Sequence, residues 1–561
     1  MATGLPNTLL GLFRASGIED PLTDVKSTES WFHRQPANDY LATSEAMVRA
    51  LEELGARQPK ITPGRVLSVF ELDRLSLPIQ ARLMKQYLQA TLSDTVRQRL
   101  WHALDDLARW LAYTYENLFQ AMLDSAVGQR MPQQMPGVAA RMFYYRGLQA
   151  KNALFRYERS TPAKWKGLHG AYDAAVGRAI AQTAFALVDE GLGSDRSSPE
   201  QEYVLILLLH RINTGNLSAV QIERAAQWLR KWMPMLNLSA PPEREAGEGF
   251  WVDCGLGDGL LTRRPHTAQG KLMYLDVEPL QRELGAMLVD LTLVTQRASA
   301  AERQGEAAER LSLLQRLESL WQPQAKLMPR RGIRVAADRA VQVAPSLTEI
   351  AAMLRGANVS ETRMKRFRQG DPVEVASGAV PPAADQEALD FETHRVSAAW
   401  QMQDASESGV KLVSQSAEAA QQRLGSLLGI LDEGQTRWKA GVVRRLKKFA
   451  GGQTELGVEI ISHHCVLIAP KPVASRNTGY SVDGIDVSAE RKTFDALYLP
   501  PSNRPGRPPA RSMIVPALEF SERRRFFLNF EDLAYTIEFT APIERSKDWV
   551  WAGFEVIREA K

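Results

Sequence analysis

Val396-Ser397-Ala398-Ala399-Trp400-Gln401-Met402-Gln403-Asp404-Ala405-Ser406-Glu407-Ser408-Gly409-Val410-Lys411-Leu412-Val413 is the stretch on which the reading of the fold turns. Val396 to Trp400 reads as a strand, Asp404 to Gly409 as a DxSxxG bend, and Gly409 to Val413 as a second strand. Asp404 and Ser406 stand two apart, so on extended backbone both point to one face. Downstream, Trp438 to Arg444 and Leu456 to Ile461 continue the strand pattern. Upstream, Val335, Val341 and Val343 predict another strand and Ser346 to Leu354 a short helix. Arg355 to Glu392, polar and carrying Asp371-Pro372 and Pro381-Pro382, reads as a poorly ordered insertion. Short strands with glycine turns at this spacing argue for a small antiparallel barrel or sandwich.

Before that β-rich middle the chain has a different texture. Up to about residue 320 it reads as helices, most clearly from Asp94 to Leu123. There Val96, Leu100, Leu104, Leu107, Leu111 and Leu118 recur at steps of three or four, with Tyr115 filling the gap. Asp94 is the expected N-cap. Similar patterns cover Glu45 to Leu54, Val138 to Tyr157, Trp165 to Leu187, Tyr203 to Arg211 and Ala219 to Trp232. Thr62-Pro63, Thr161-Pro162 and Ser198-Pro199 read as breaks or first helical turns. The lengths suit a stack of helical hairpins that resembles tetratricopeptide-like architecture, without that repeat's residues at a fixed spacing. Leucines from Leu280 to Leu291 and from Leu311 to Leu317 predict a long helical pair, with Ala298 to Arg310 as its exposed continuation. After residue 470, strands are expected at Ala496 to Leu499, Arg511 to Val515, Phe526 to Phe530, Tyr535 to Phe539 and Val550 to Ile557, with a proline-rich loop at Asn503 to Pro509.

Length and composition bound the rest. The 561 residues correspond to roughly three or four domains at ~150 residues each. The expected fold class is multidomain α + β. An all-α helical-hairpin scaffold (1–320) precedes an antiparallel barrel (321–470, insertion at about 355–392) and a C-terminal β-module (471–561). The net charge of +4 is small for this length and gives no argument for coating nucleic acid or an anionic membrane. Two cysteines, Cys254 and Cys465, make no disulfide scaffold or cysteine zinc cluster and fit a reducing, cytoplasmic compartment. The longest aliphatic run, Tyr203 to Leu209, is far short of the ~20 residues a membrane span needs.

The chemistry concentrates in two short motifs: Arg330-Arg331-Gly332-Ile333-Arg334, an RxxxR, and the DxSxxG at Asp404 to Gly409. Arginine offers a planar fork of donors matched to O6 and N7 of guanine or to two phosphate oxygens. An aspartate accepts from the guanine amide and amino edge. A serine hydroxyl can bond a phosphate or a base edge, and a turn glycine lets backbone approach a ligand closely. The same residues also suit solvated linker charges and a plain hairpin turn.

In this order, and with the later Trp438-Lys439-Ala440-Gly441-Val442-Val443-Arg444-Arg445 and Glu455-Leu456-Gly457-Val458-Glu459, the two motifs resemble PilZ domains, bacterial receptors for cyclic di-GMP. The resemblance covers roughly 322–470 and implies a six-stranded barrel with a flexible arginine segment at its entrance. It implies that Arg330 and Arg334 clamp guanine and phosphate, that Arg331 is an accessory contact, and that Asp404, Ser406 and Gly409 form the guanine-facing turn. The stretch between the motifs is longer than the family's usual one. It contains a rival arginine source, Arg363, Arg366 and Arg368, without the x3 spacing.

Other stretches are weaker. Gly255-Leu256-Gly257-Asp258-Gly259 lacks GxGxxG spacing and a lysine and reads as a turn. His463-His464-Cys465 has no partner set at metal spacing. Arg444-Arg445-Leu446-Lys447-Lys448 reads as a basic solvated hairpin, Arg523-Arg524-Arg525 as the mouth of a strand, and Asp486-Val487-Ser488 as an incomplete copy of the bend. No catalytic signature stands out, so the expectation is a non-enzymatic effector with no cofactor and no metal. It would bind cyclic di-GMP at the interdomain linker and couple that to an unknown protein partner through the helical scaffold. The alternatives are a nucleotide-independent assembly protein with a degenerate barrel, and a nucleic-acid binder.

Overall fold

The computed structural model describes residues 20–89, 92–186, 196–242, 249–297, 305–323, 334–356, 400–473, 493–501, 511–530 and 533–560. They fall into two compact units that divide at Lys326 and Leu327.

The first unit is mainly helical. Its helices are α1 (Val25–His33), α2 (Tyr40–Arg57), α3 (Pro63–Tyr87), α4 (Asp94–Asp124), α5 (Met135–Phe155), α6 (Pro162–Gly177), α7 (Pro199–Arg211), α8 (Ala219–Trp232), α9 (Glu278–Arg297) and α10 (Glu306–Leu320), with short elements between them. The three Thr/Ser-Pro dipeptides all start helices. Thr62, Thr161 and Ser198 are N-caps whose side chains accept from the third residue on, and the following proline takes the position where no N–H is needed. For α4 the cap is Ser93 and not Asp94, which lies in the first turn where its charge faces the positive helix end. The expected helix through Leu187 ends at Gly177, and Phe185–Ala186 pairs with Arg196–Ser197 as a two-residue ladder. A three-stranded antiparallel sheet (238–239, 272–276, 249–253) also belongs to this unit. The residues between α9 and α10, 298–304, lie outside the described ones.

The core of this unit holds a buried charge cluster. Tyr115 Oη donates to Asp73 Oδ2 at 2.6 Å, Tyr145 Oη donates to Oδ1, and Arg141 Nε stands 3.1 Å from the same carboxylate. Burial pushes both phenols well above their ordinary range, and the adjacent carboxylate adds to it. They therefore remain donors, tying α3 to α4 and α5.

The second unit begins with the barrel: β1 (Val335–Ala344), β2 (Trp400–Ser406), β3 (Gly409–Ser414), β4 (Leu427–Asp432), β5 (Lys439–Lys448) and β6 (Thr454–Ser462). Its strands close in the ring order β1-β2-β3-β6-β5-β4, every pair antiparallel. β1 follows Arg334 directly. Val396 to Ala399, the rest of the insertion from residue 357, and its arginines Arg363, Arg366 and Arg368 lie outside the described residues. A helix at 347–356 packs on β4, where a Cβ on Gly429 would stand 2.7 Å from Ile350.

The segment Arg444 to Lys448 is strand, not a solvated hairpin. Arg444 makes a bidentate pair with Glu544 (2.6 and 2.7 Å) and a third contact to Glu459 at 2.8 Å. Strands β7 (Val466–Ile468), β8 (Lys471–Pro472), β9 (Ala496–Leu499), β10 (Ser512–Pro516), β11 (Arg525–Phe530), β12 (Leu533–Arg545) and β13 (Trp549–Ala560) form a second sheet. It shares a core with the barrel, in which Leu427, Trp438 and Val442 meet Leu499, Ile514 and Trp549. Asn503 to Pro509 and Asp486 to Ser488 are outside the described residues.

Replacing Asp73 with alanine strands the Arg141 charge in the helical core. That is expected to cost about 3–5 kcal/mol, measured as a lower urea midpoint of the helical unit; a change below about 1 kcal/mol contradicts this reading.

Candidate functional site

Strand parity alone would bury Asp404. Met402, two residues earlier, is fully buried opposite the equally buried Leu412. Between Met402 and Asp404 the β2–β3 register shifts by one, so Gln403 is the extra residue of a β-bulge. After the bulge Asp404 pairs with Lys411 and Ser406 with Gly409, on the face opposite Met402. A matching shift in β1 between Ala336 and Arg339 keeps Ala336 beside Asp404. Both strands thus turn their ends outward together.

Arg334, just before β1, reaches that outer face. Its Nη1 is 2.7 Å from Asp404 Oδ1, across seventy positions of sequence. The arginine side chain is 39% exposed and the aspartate 26%, so a ligand in solution can reach both. Among the described residues, one nitrogen of the guanidinium is engaged. The group carries five N–H donors in all.

The bend is held from behind. Ser406 Oγ donates to Gly409 O at 3.1 Å, closing the two-residue hairpin Glu407-Ser408. Ile460 N donates to Ser408 O at 3.0 Å, and His463 Nε2 lies 3.1 Å from Glu407 O. Gly409 runs so close to β6 that a Cβ there would sit 2.8 Å from Val458 O. The glycine is thus demanded by the neighbouring strand.

Of the six residues singled out in the sequence, the structure brings together Arg334, Asp404, Ser406 and Gly409. Arg330 and Arg331 lie outside the described residues. Sequence reading missed Lys411, the cross-strand neighbour of Asp404, whose Nζ pairs with Glu455 at 3.0 Å. Its signal was its place two residues past Gly409 on the same face.

The weaker stretches have structural roles. Asp253 accepts from the backbone N–H of Gly255, Gln269 and Gly270 at 2.8–3.0 Å, so its own side chain occupies the glycine-rich turn. Cys465 is buried, and its Sγ contacts Trp438 O. Arg524 lies over the Phe526 ring and Arg525 pairs with Glu538. Among the described residues, no group of three His, Cys, Asp or Glu could hold a metal ion, and no helix is long and apolar enough to cross a membrane.

Six antiparallel strands closed in this order, with an arginine at the entrance and a DxSxxG bend on the outer face, define a PilZ-type barrel. Residues 26–243 match the family model described as the N-terminal domain of the cyclic-di-GMP receptor FimW, and residues 356–466 match the model of its middle PilZ domain. The chain belongs to this family of cyclic-di-GMP receptors. The middle match takes in Asp404, Ser406 and Gly409 and begins after Arg334. No curated protein matches the chain.

The Arg334–Asp404 pair is half-exposed, so its loss is expected to cost at most about 1 kcal/mol of stability. Arg334→Ala should therefore melt close to the unsubstituted chain. Gly409→Ala, forced against Val458 O, is expected to lose about 1–3 kcal/mol. Thermal unfolding of the two variants side by side checks the order; an Arg334→Ala chain the less stable of the two contradicts it.

Proposed function

We propose that the outer face of β1–β3 binds cyclic di-GMP, and that binding orders the arginine segment 330–334 against the barrel. Asp404 accepts from the N1–H and amino group of a guanine. Arg334 and Arg330 donate to guanine O6 and N7 and to the phosphates, Arg331 supplies an accessory contact, and Ser406 offers its hydroxyl. The carrying observation is the 2.7 Å contact between Arg334 and Asp404. It supports the reading because it places a donor fork and an acceptor side by side on an accessible wall, already oriented. A ligand that inserts there exchanges one charge-assisted contact for several, with little rearrangement of the barrel wall itself.

The segment 330–334 joins the helical unit to the barrel in sequence. A messenger that fixes it would change the arrangements open to the helical unit, and so the surface that unit offers a protein partner. Such a switch works only as far as the messenger binds one arrangement more tightly than another. The reading is that of a binding effector, with a nucleotide as its signal.

Calorimetric titration of the full chain tests this. Asp404→Ala and Arg334→Ala are each expected to weaken binding about 10- to 100-fold, the worth of a hydrogen bond to a charged group. Heat of binding unchanged in both variants contradicts the site, and no heat from the unsubstituted chain leaves the nucleotide-independent scaffold.

A further inference from the structure

The C-terminal sheet repeats the barrel. In chain order, the first barrel's strands run around the ring as 1-2-3-6-5-4 and back to 1. In the C-terminal sheet β9 pairs with β10, β10 with β13, β13 with β12 and β12 with β11, all antiparallel. The two ends of that series meet one short segment: β7 pairs with β9, and β8 pairs with β11. Only Ala469 and Pro470 separate β7 from β8. Across them the burial alternates without a break: Ile468, Pro470 and Pro472 are buried, Ala469 and Lys471 exposed. This is one strand with two partners at its two halves. Pro470 has no N–H for a ladder, although its carbonyl accepts from Phe494 N at 3.4 Å, and Val473 N donates to Arg525 O beyond it. With residues 466–473 as the first strand, the ring order is again 1-2-3-6-5-4.

The interior agrees. Ile468, Ala496, Met513, Phe526, Ile537 and Val550, one from each of the six strands, pack in a single core. A curled open sheet would have two unpaired edges; here both lie on the same strand.

The corner that holds Asp404 and Ser406 in the first barrel can be located in the second. It is the outer face at the end of the second strand. Leu497 and Leu499 stand there, the latter in the last pair of the β9–β10 ladder, opposite Ser512. Both are buried, 0% and 2% exposed, in the core shared with Leu427, Trp438 and Val442 of the first barrel. Among the described residues no carboxylate stands at this corner, and the accessible position just before β10 is Arg511.

We infer that residues 466–560 form a second barrel with the strand pairing of the first, whose wall equivalent to the nucleotide-facing one is apolar and serves as its interface with the first barrel. The chain then carries one messenger site on two barrels, a consequence that rests on the reading of the first barrel given above. The contact is heterologous: the first barrel contributes its β4–β5 side and the second its β9–β10–β13 side. No residue of the first barrel's own β2–β3 wall belongs to this shared core among the described residues.

Lys471 and Phe527 are directly paired and both exposed, so Lys471→Cys/Phe527→Cys reports the seam. Oxidation of the full chain is expected to give an intrachain disulfide between these positions, seen by peptide mass mapping and absent from the single variants. In the unsubstituted chain the Val473 amide should exchange slowly. A folded chain with both thiols free and a fast Val473 amide overturns the barrel. Peptides from 400–462 and 496–560 are expected to unfold in one transition in urea by pulsed hydrogen exchange, and separate transitions overturn the shared wall. The Arg334→Ala/Asp404→Ala chain is expected to bind no cyclic di-GMP. Binding that survives in it and protects 496–516 assigns a second site and overturns the inference. Absence of binding in every chain removes the messenger reading alone, while disulfide and exchange still decide the barrel.

Discussion

One extra residue, Gln403, governs the site. Strands alternate, and from the buried Met402 the alternation would carry Asp404 into the barrel interior, where an unpaired carboxylate is costly. The bulge spends one residue without a partner and reverses the parity, so Asp404, Ser406 and the approach of Arg334 all come to lie on the outside. The ion pair between Arg334 and Asp404 then ties the residue preceding β1 to the end of β2. Its half-exposed position limits its worth to stability.

Rigidity behind the site comes from β6 and from the second barrel. The Glu407-Ser408 hairpin is clamped by Ile460 and His463, and Gly409 permits the strand approach that makes the clamp possible. Further round, Arg444 bridges Glu459 of β6 and Glu544 of β12, while Trp549 Nε1 and Ser546 Oγ both donate to Gly425 O. Hydrogen bonds to Glu544, the largest cause, together with the contact to Glu459 hold the Arg444 guanidinium firmly charged against the opposing effect of burial. Polar contacts at the edge and apolar packing at the centre make the two barrels one body. Such a wall is preorganised for the site proposed on it.

Much of this was legible in the sequence where a local pattern and a tertiary role coincide. The α4 stripe, the three Thr/Ser-Pro starts, the β2–β3 hairpin and most C-terminal strands fall in that class. β4 was missed because Leu427-Leu428-Gly429-Ile430-Leu431 is buried on both faces and shows no alternation. α3 was missed because Pro78 stands inside it, where a proline normally argues for a break. Arg444 to Lys448 looked like a solvated turn, because the acids that neutralise it lie in β6 and, a hundred residues on, in β12. At the site, the residue types were readable and the bulge was not, since Gln403 differs from an ordinary strand residue only in its register. The seam of the second barrel, split by Pro470, is hidden for a related reason: its two halves pair on opposite sides.

Hydrogen–deuterium exchange of the full chain, with and without cyclic di-GMP, bears most directly on the account. Slowed exchange confined to peptides spanning 328–341 and 402–412 is the result it predicts, because the messenger then bridges the entrance arginines and the acidic bend. Protection that spares 402–412 and appears elsewhere would contradict it.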